Sequence, residues 1–309
     1  MSARPRILVI KLSALGDFVQ AMGPFAAIRR HHPDARITLL TTKPFVALAK
    51  ASPYFDEVWV DRRPKPWDVP GMLHLRKMLR SAKFQMVYDL QTSERSSSYF
   101  HLMGDPKWSG IANGCSHPHA NPDRDLMHTL DRQAEQLRMA GIAETPPPDL
   151  SWLQRDLSKL RLPRKFALMV PGGAPHRPEK RWPASHFAAL ANLLRMRGLA
   201  TVLIGTEADS EAIDAIAGAC PTAMALTDQT ELLDIPPIAR LAVAAIGNDT
   251  GPMHLIAAAG CRSLVLFSAE SDPALCAPRG EVTVLRRDQL AELPVSEVVA
   301  ALGEIGQPP

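Results

Sequence analysis

Cysteines, aromatic residues and long apolar runs are all scarce in this chain. Its 4 cysteines form no C-x-x-C pair, which argues against a zinc site or a disulfide framework and favours thiols in a reducing compartment. Aromatic residues make up only 6% of the chain and the net charge is +3, which gives little support to nucleic-acid binding. No stretch approaches the ~20 apolar residues of a membrane span, and the apolar run at residues 7–10 is too short for a signal peptide. These absences predict a soluble, cytoplasmic protein.

Fingerprints for common cofactors are missing as well. The loop after the first predicted strand is not G-x-G-x-x-G, so the nicotinamide dinucleotide signature is absent there. No Walker A loop occurs, and no cluster of carboxylates has the pattern of a metal site. We therefore expect neither a cofactor nor a bound metal.

Short β-rich runs alternate with helical patterns along the whole chain. Several runs are continuously apolar, as expected of parallel strands that are covered on both faces, and the rhythm predicts doubly wound α/β sheets. The predicted strands are 6–10, 36–41, 57–60, 86–90, 108–112, 166–170, 200–205, 223–227, 244–248, 263–268 and 282–286. The predicted helices are 18–30, 71–81, 184–197, 210–219, 252–259 and 295–305.

The clearest break in this rhythm is the run of three prolines at residues 146–148. Three prolines continue neither a helix nor a central strand and favour a stiff connector. The sequence therefore predicts two Rossmann-like domains, 1–148 and 149–309, that face a central cleft. The last helix is a candidate to pack back on the first domain. Ligands of such sheets bind beyond the carboxyl ends of the strands.

Charge is unevenly divided between the halves. Residues 1–150 hold 20 Lys and Arg against 15 Asp and Glu, whereas residues 151–309 hold 15 against 17. A basic first half suits an anionic partner, although a chance surface distribution would look the same.

The first segment whose residues could take part in catalysis follows the first strand directly. It is Lys-Leu-Ser-Ala-Leu-Gly-Asp at residues 11–17. Gly16 permits a tight turn, and Asp17 is predicted to open the next helix. A carboxylate there is favoured by the helix dipole and could serve as a general base. The plain alternative is an ordinary helix N-cap, which this segment alone favours.

Two further segments resemble phosphate sites. Residues 171–183 join Gly172 and Gly173 to a group of cations before a helix, although a solvated basic loop would have the same composition. Residues 247–254 place Thr250 and Gly251 at a predicted helix start after a buried strand, where backbone N–H groups attract a diphosphate. His254, alone, is better explained as a hydrogen-bonded core residue.

Together the three segments resemble the glycosyltransferase family 9 heptosyltransferases, which build the inner core of lipopolysaccharide. The order and spacing match along nearly the whole chain. The matching stretches are residues 11–17, residues 180–183 (Lys-Arg-Trp-Pro), residues 247–254 (Gly-Asn-Asp-Thr-Gly-Pro-Met-His) and residues 264–267 (Leu-Val-Leu-Phe).

The resemblance implies a GT-B fold and an inverting, metal-independent transfer from ADP-heptose. The catalytic residues it implies are Asp17 as general base and Lys180 on the donor phosphates. With the residues of the second and third segments, the predicted donor-binding set is Gly172, Gly173, His176, Arg177, Lys180, Glu207, Asp249, Thr250, Gly251 and His254. The predicted acceptor-binding set is Lys11, Ser13, Gly16, Arg62 and Arg63. One departure is the stretch 174–178, which has no hydroxyl where family members often carry Ser or Thr.

The acceptor implied by the family is an anionic lipid A core that bears Kdo or phosphate. Peripheral contact with the cytoplasmic face of the inner membrane is a further expectation, but the apolar positions of 71–81 are better explained by a packed amphipathic helix. A transferase with another nucleotide sugar, a nucleotide-sugar epimerase and a catalytically silent carbohydrate-binding protein stay open as alternatives. The last is disfavoured because both Asp17 and Lys180 are present.

Overall fold

The computed structural model describes residues 4–174 and 176–303, and the chain divides after Pro148 into two compact units. Each unit contains six strands and six α-helices within the described residues. The first unit comprises β1 (Arg6–Ile10), α1 (Leu15–Gln20), α2 (Met22–His31), β2 (Arg36–Thr41), α3 (Val46–Ala51), β3 (Glu57–Val60), α4 (Val69–Ser81), β4 (Met86–Asp89), α5 (Glu94–Met103), β5 (Trp108–Gly110), β6 (His117–Pro118) and α6 (Thr129–Met139). The second comprises β7 (Phe166–Val170), α7 (Ala184–Met196), β8 (Ala200–Leu203), α8 (Ser210–Ala219), β9 (Met224–Ala225), α9 (Ile235–Leu241), β10 (Ala244–Asn248), α10 (Gly251–Ala258), β11 (Ser263–Phe267), α11 (Pro273–Cys276), β12 (Val282–Arg286) and α12 (Val295–Leu302).

The two sheets have the same topology. The first has the order β3-β2-β1-β4-β5-β6, and the second has the equivalent order β12-β11-β10-β7-β8-β9. Every pair of neighbouring strands is parallel. Strand order therefore reverses between β1 and β4 in one sheet and between β7 and β10 in the other. Such a reversal opens a crevice beyond the carboxyl ends of the strands, where ligands of open α/β sheets bind.

Continuous apolar sequence explains the central strands. All five residues of β7, β10 and β11 are buried, as expected for strands that are covered by helices on both faces. In the first unit Leu8 and Ile10 of β1 pack in one core with Trp108 and with the buried face of α4. The predicted α/β fold with two parallel sheets is confirmed.

The predicted helix at 18–30 is wrong in its start and in its continuity. The structure has α1 from Leu15 and a separate α2 from Met22. Pro24 lies within this stretch and has no N–H to donate to the carbonyl of Gln20, so the α1 hydrogen-bond ladder cannot continue through it. Asp17 is consequently the third residue of α1 and not the residue that opens the helix.

Several other predicted ends are shifted. The strands that begin at Met86, Trp108 and Ala200 end one or two residues earlier than predicted, and β6 was missed because two residues carry no pattern. The last helix ends at Leu302, and residues 304 and 305 lie outside the described residues. Its buried side chains Val298 and Leu302 belong to the core of the second unit. Among the described residues, no helix is both long enough and apolar enough to span a bilayer.

Candidate active site

Two loops meet where the strand order of the first sheet reverses. Lys11 follows β1 and is buried, and its Nζ donates a hydrogen bond to the carbonyl of Leu90 at 3.1 Å. Gln91 follows β4, and its Oε1 accepts from the backbone N–H groups of Leu12 at 2.8 Å and Ser13 at 3.0 Å. These contacts fix the loop 11–14 at the carboxyl edge of the sheet.

Burial dominates the electrostatics beneath this loop. It lowers the pKa of Lys11, and the carboxylates of Asp17 and Asp89 oppose that change because they favour the ammonium form. Burial also raises the pKa of Asp89 to about 6, although the backbone N–H groups of Thr92 and Gln91 donate to its carboxylate. A buried lysine thus lies within electrostatic range of two carboxylates at the predicted catalytic edge.

Asp17 is half-buried in the first turn of α1. Its Oδ2 accepts a hydrogen bond from the N–H of Ala14 at 3.2 Å, and Ala14 is the N-cap residue. The carboxylate therefore performs a capping role from the third helical position, and the expectation that Asp17 is itself the N-cap is wrong. One oxygen remains for a further contact, so the cap does not prevent a role as base.

A pocket of about 740 Å³ opens at the ends of β1, β2 and β3, and Ala14, whose N–H donates to Asp17, is part of its lining. Its lining includes Ser13, Lys43, Arg62 and Arg63, and the guanidinium of Arg63 donates to Ser13 Oγ at 2.9 Å. Arg62 is exposed and also lines a smaller neighbouring pocket. The structure therefore brings Ser13, Arg62 and Arg63 of the predicted acceptor set together, whereas Gly16 lies in the first turn of α1 and outside this lining.

The loop that carries Arg62 and Arg63 is held in place by residues that the sequence did not indicate. Asp61 is buried, accepts from Tyr99 Oη at 2.5 Å and from the N–H of Arg63 at 2.7 Å. Arg95 adds weaker contacts to the Asp61 carboxylate at 3.4 Å and donates to the carbonyl of Pro64 at 3.2 Å. Burial and the hydrogen bond to Asp61 raise the pKa of Tyr99. Because Tyr99 lies 38 positions after Asp61, no local pattern could pair them.

Two further cations were also missed. Burial and the neighbouring Arg124 lower the pKa of Arg132, and Asp17 opposes this effect. Arg124 donates to Thr92 Oγ1 at 3.2 Å and pairs with Asp125 at 2.8 Å. Arg132 thus brings a second positive charge, besides Lys11, into electrostatic range of the Asp17 carboxylate.

In the second unit, Asn248 connects the loops at the reversal of strand order. Its Oδ1 accepts from the N–H of Trp182 at 2.9 Å, and its Nδ2 donates to the carbonyls of Pro171 and Gly172 at 2.8 and 3.1 Å. The indole of Trp182 is buried and donates to the carbonyl of Leu293 at 2.9 Å. These bonds fix the backbone on both sides of the predicted phosphate-binding residues.

Lys180 and Asp249 form an ion pair in this framework. Lys180 Nζ lies 2.8 Å from Asp249 Oδ2, and the side chains are 12% and 10% exposed. Thr250 is the N-cap of α10, and its Oγ1 is buried without a hydrogen-bond partner among the described residues. The ammonium of Lys180 is paired with the residue that precedes Thr250, and Gly251 is the first residue of α10. An ammonium, a hydroxyl without a partner and the N–H groups of a helix start are all suited to bind phosphate oxygens.

Asp209 contacts the loop that contains Gly172 and Gly173, which is called the glycine loop below. Its Oδ2 accepts from the N–H and the hydroxyl of Thr206, and its Oδ1 lies 3.4 Å from the N–H of Gly173. A Cβ on Gly172 would collide with the Asp209 carboxylate, so only glycine allows this approach. Arg181 Nη2 donates to the carbonyl of Gly173 at 2.6 Å and stands 4.0 Å from Asp209.

Three of the remaining predicted donor residues are exposed, and the fourth is buried. His176 and Arg177 are exposed on the loop before Lys180, and Glu207 is exposed in the turn after β8. His254 is buried in α10. Over residues 4–174 and 176–303, no group of three or more His, Cys, Asp or Glu side chains is arranged to hold a metal ion.

We predict that Asn248→Ala lowers both stability and affinity for ADP, the nucleotide that the family resemblance implies. The change leaves the buried N–H of Trp182 and two loop carbonyls without partners, at a cost of about 1–3 kcal/mol. Calorimetric unfolding and ADP titration measure the two effects. Asn192→Ala is the matched control, since it removes two side-chain hydrogen bonds, to the carbonyls of Ala188 in α7 and Ala219 in α8, and should leave ADP affinity unchanged. Parent-like behaviour of Asn248→Ala would show that Asn248 does not hold the loops.

Comparison with known proteins identifies relatives of both units. The family model of glycosyltransferase family 9 (heptosyltransferase) matches residues 72–297. The lipopolysaccharide heptosyltransferase 2 of Escherichia coli (strain K12) is 27% identical over 306 residues, which cover 88% of this chain and 85% of that protein.

Solved structures share the architecture. The glycosyl transferase family 9 from Veillonella parvula DSM 2008 matches with a TM-score of 0.85 at 21% identity, over 97% of both chains. The E. coli heptosyltransferase WaaC with ADP matches with a TM-score of 0.77 at 20% identity, over 95% of this chain and 97% of that one. These likenesses confirm the GT-B fold. Because the family model spans most of the sequence, this chain belongs to glycosyltransferase family 9, the heptosyltransferases.

Proposed function

We propose that this glycosyltransferase moves a heptose from ADP-heptose to an anionic inner-core acceptor of lipopolysaccharide, with inversion at the anomeric carbon. Relatives named as lipopolysaccharide heptosyltransferases support the reaction class, and WaaC with ADP and with ADP-2-deoxy-2-fluoro heptose supports the donor. One observation carries the proposal. The residues of the three family segments lie at the two reversals of strand order, with Asp17 at one and Lys180 at the other.

The first unit supplies the base and the acceptor site. Asp17 accepts the proton of the acceptor hydroxyl while that oxygen attacks the anomeric carbon. Lys11 and Arg132 are two cations within electrostatic range of Asp17. The arginines at residues 62 and 63 offer guanidinium groups to the carboxylates or phosphates of the acceptor, for which their planar donor geometry is suited.

The second unit binds the nucleotide and stabilises the leaving group. The bond between the anomeric carbon and the phosphate oxygen breaks as the new glycosidic bond forms, so negative charge grows on the diphosphate. That charge is stabilised by Lys180, by the hydroxyl of Thr250 and by the N-terminus of α10. Such fixed donors contribute most when the charge develops in the transition state, and no metal ion is required for this step. Asp249 holds Lys180 in place and accepts from sugar hydroxyls.

The first test is a donor screen with ADP- and UDP-sugars in excess EDTA. We expect release of ADP from ADP-heptose, dependent on a Kdo-bearing acceptor, without any added metal. Release of a nucleotide in the absence of acceptor, or interconversion of the sugar, would favour an epimerase. Activity that returns only with Mg²⁺ or Mn²⁺ would contradict the metal-independent mechanism.

Asp17→Asn should lower turnover about 10²–10⁴-fold and leave ADP affinity close to that of the parent, because it removes a general base and no donor contact. The asparagine Oδ1 can still accept from the N–H of Ala14, so the helix cap is kept. Asp17→Ala is the companion variant: it loses the cap as well, and should match Asp17→Asn in turnover while unfolding more readily. Turnover of Asp17→Asn near the parent rate would exclude Asp17 as the base.

Lys180→Ala should weaken ADP binding about 10- to 150-fold, since a charge-assisted hydrogen bond contributes about 1.5–3 kcal/mol. Turnover should fall as well, because the diphosphate gains charge in the transition state. The change also leaves Asp249 without its cation beside the diphosphate. The double variant with Asp249→Asn should therefore bind ADP better than Lys180→Ala alone. Titration calorimetry checks both.

Lys159→Ala is the matched control for Lys180→Ala, since it removes one exposed positive charge from the same unit. Its ADP affinity should stay at the parent value. If Lys180→Ala binds ADP as tightly as this control, the second unit does not hold the phosphates in the way proposed.

A further inference from the structure

The backbone of Arg63 has a conformation that arginine rarely adopts. Its φ is 52°, in the left-handed region that disfavours a Cβ atom and favours glycine. Such a residue keeps this conformation only where its surroundings impose it, and residues of this kind concentrate at ligand sites. Arg63 is exposed and lines the pocket of about 740 Å³. Burial of its side chain therefore does not impose the conformation, and the cause lies in its backbone contacts.

Asp61 supplies the contact that holds this backbone. Its side chain is fully buried, and its Oδ1 accepts a hydrogen bond from the N–H of Arg63 at 2.7 Å. Two residues that lie one turn apart in α5 fix the carboxylate in turn. Tyr99 Oη donates to its Oδ2 at 2.5 Å, and the guanidinium of Arg95 lies 3.4 Å from the same oxygen and 3.2 Å from the carbonyl oxygen of Pro64. The segment that carries the two arginines of the pocket is thus tied to α5 at both of its ends.

The side chain of Arg63 reaches the loop 11–14, which precedes the proposed base. Its Nη2 donates to Ser13 Oγ at 2.9 Å, while the N–H of Ser13 is held from the sheet by Gln91 at 3.0 Å. The next residue, Ala14, donates to the carboxylate of Asp17 at 3.2 Å. A guanidinium has five N–H donors, so Arg63 can keep Ser13 and still contact an anion. Contacts therefore run from α5 through the pocket wall to the loop that carries the base.

Support of the core alone does not explain this arrangement. A buried carboxylate with a tyrosine and an arginine can serve as a plain structural anchor, but such an anchor needs no residue in a disfavoured conformation. Here the anchored backbone N–H belongs to the residue whose side chain contacts Ser13. Asp61 is also part of the lining of the pocket. The group formed by Asp61, Tyr99 and Arg95, called the aspartate anchor below, therefore supports the wall of the proposed acceptor site.

We propose that the aspartate anchor positions the base for transfer, by holding Arg63 as a bridge between the acceptor and Ser13. This step rests on the proposed function, in which Asp17 is the base and the arginines of the pocket bind the acceptor. One side of the Arg63 guanidinium braces the loop 11–14, and its other N–H groups contact an anionic group of the acceptor. A small displacement of the base from the acceptor hydroxyl lowers turnover strongly. The anchor residues act through Arg63 and are therefore positioning residues.

Tyr99→Phe is a mild test of the anchor, because it removes only the hydroxyl that donates to Asp61. We expect kcat for transfer to fall about tenfold, while ADP affinity stays at the parent value. Tyr88→Phe is the matched control. Tyr88 is 1% exposed, like Tyr99, and the change removes the hydrogen bond between its hydroxyl and His32 at 2.8 Å in the same unit. This control should keep the parent kcat even if it unfolds more readily. A parent-like kcat of Tyr99→Phe would show that the anchor only stabilises the fold and would overturn the proposal.

A double-mutant cycle shows whether the anchor acts through Arg63. In the Arg63→Ala background, Tyr99→Phe should change kcat less than about twofold, because the effects of residues that act through one contact do not add. Ser13→Ala leaves the buried anchor unchanged and should also lower kcat, with little further loss when it is combined with Arg63→Ala. Losses that multiply in either pair would overturn the proposal.

Amide hydrogen exchange followed by NMR separates this proposal from the proposed function, since it requires no turnover. The N–H of Arg63 should exchange at least about tenfold faster in Tyr99→Phe than in the parent and in Tyr88→Phe. Equal exchange of this N–H in all three proteins would overturn the anchor even in an active enzyme. Faster exchange in Tyr99→Phe, together with a parent that transfers no heptose to any acceptor, would refute the function and leave the hold of the anchor on Arg63 intact.

Discussion

In each unit one side-chain amide joins the two loops that diverge where the strand order reverses. At such a point the backbone N–H and C=O groups lose the partners that a continuous ladder would supply, and buried groups of this kind are costly if left unpaired. Gln91 accepts from two N–H groups of the loop after β1. Asn248 donates to two carbonyls of the loop after β7 and accepts from the N–H of Trp182. The amides keep both loops rigid and leave the outer side of each loop available for ligands.

The two sites use lysine differently because their lysines are placed differently. Lys11 is buried beneath its loop and donates to the carbonyl of Leu90, and the carboxylate of Asp17 opposes the lowering of the Lys11 pKa by burial. Lys180 is paired with Asp249 near the start of α10, where a phosphate could take over one of its hydrogen bonds. An ammonium offers three donors, so Lys180 can keep Asp249 and still contact an anion. The first lysine therefore holds its loop to the carbonyl of Leu90, and the second is suited to direct contact with a ligand.

Sequence patterns predict those features that depend on neighbouring residues. The continuous apolar runs predict β1, β7 and β10 to the residue, because a strand buried on both faces needs such a run. The same patterns fail where a contact joins residues that are far apart in the sequence. Nothing near Asp61 indicates that Tyr99 will anchor it, and nothing near Gly172 indicates that Asp209 will fill the space of a Cβ. The placement of the candidate catalytic residues was predictable from motifs, but the contacts that hold their loops were not.

Five aspartates lie at or near the carboxyl edges of the two sheets, and only their surroundings distinguish a base from a structural carboxylate. Asp61 and Asp89 are buried and accept hydrogen bonds from their own loops. Asp209 caps a turn and supports the glycine loop, and Asp249 pairs with Lys180 at 2.8 Å. Asp17 is half-buried and accepts one backbone hydrogen bond at 3.2 Å, from Ala14, which lines the pocket together with Arg62 and Arg63. A general base needs an oxygen within reach of the substrate hydroxyl. Asp61 and Asp209 use both oxygens within the fold, Asp89 is buried, and Asp249 is paired with Lys180. Hydrogen-bond capacity and exposure therefore support the proposed assignment of Asp17 as the base.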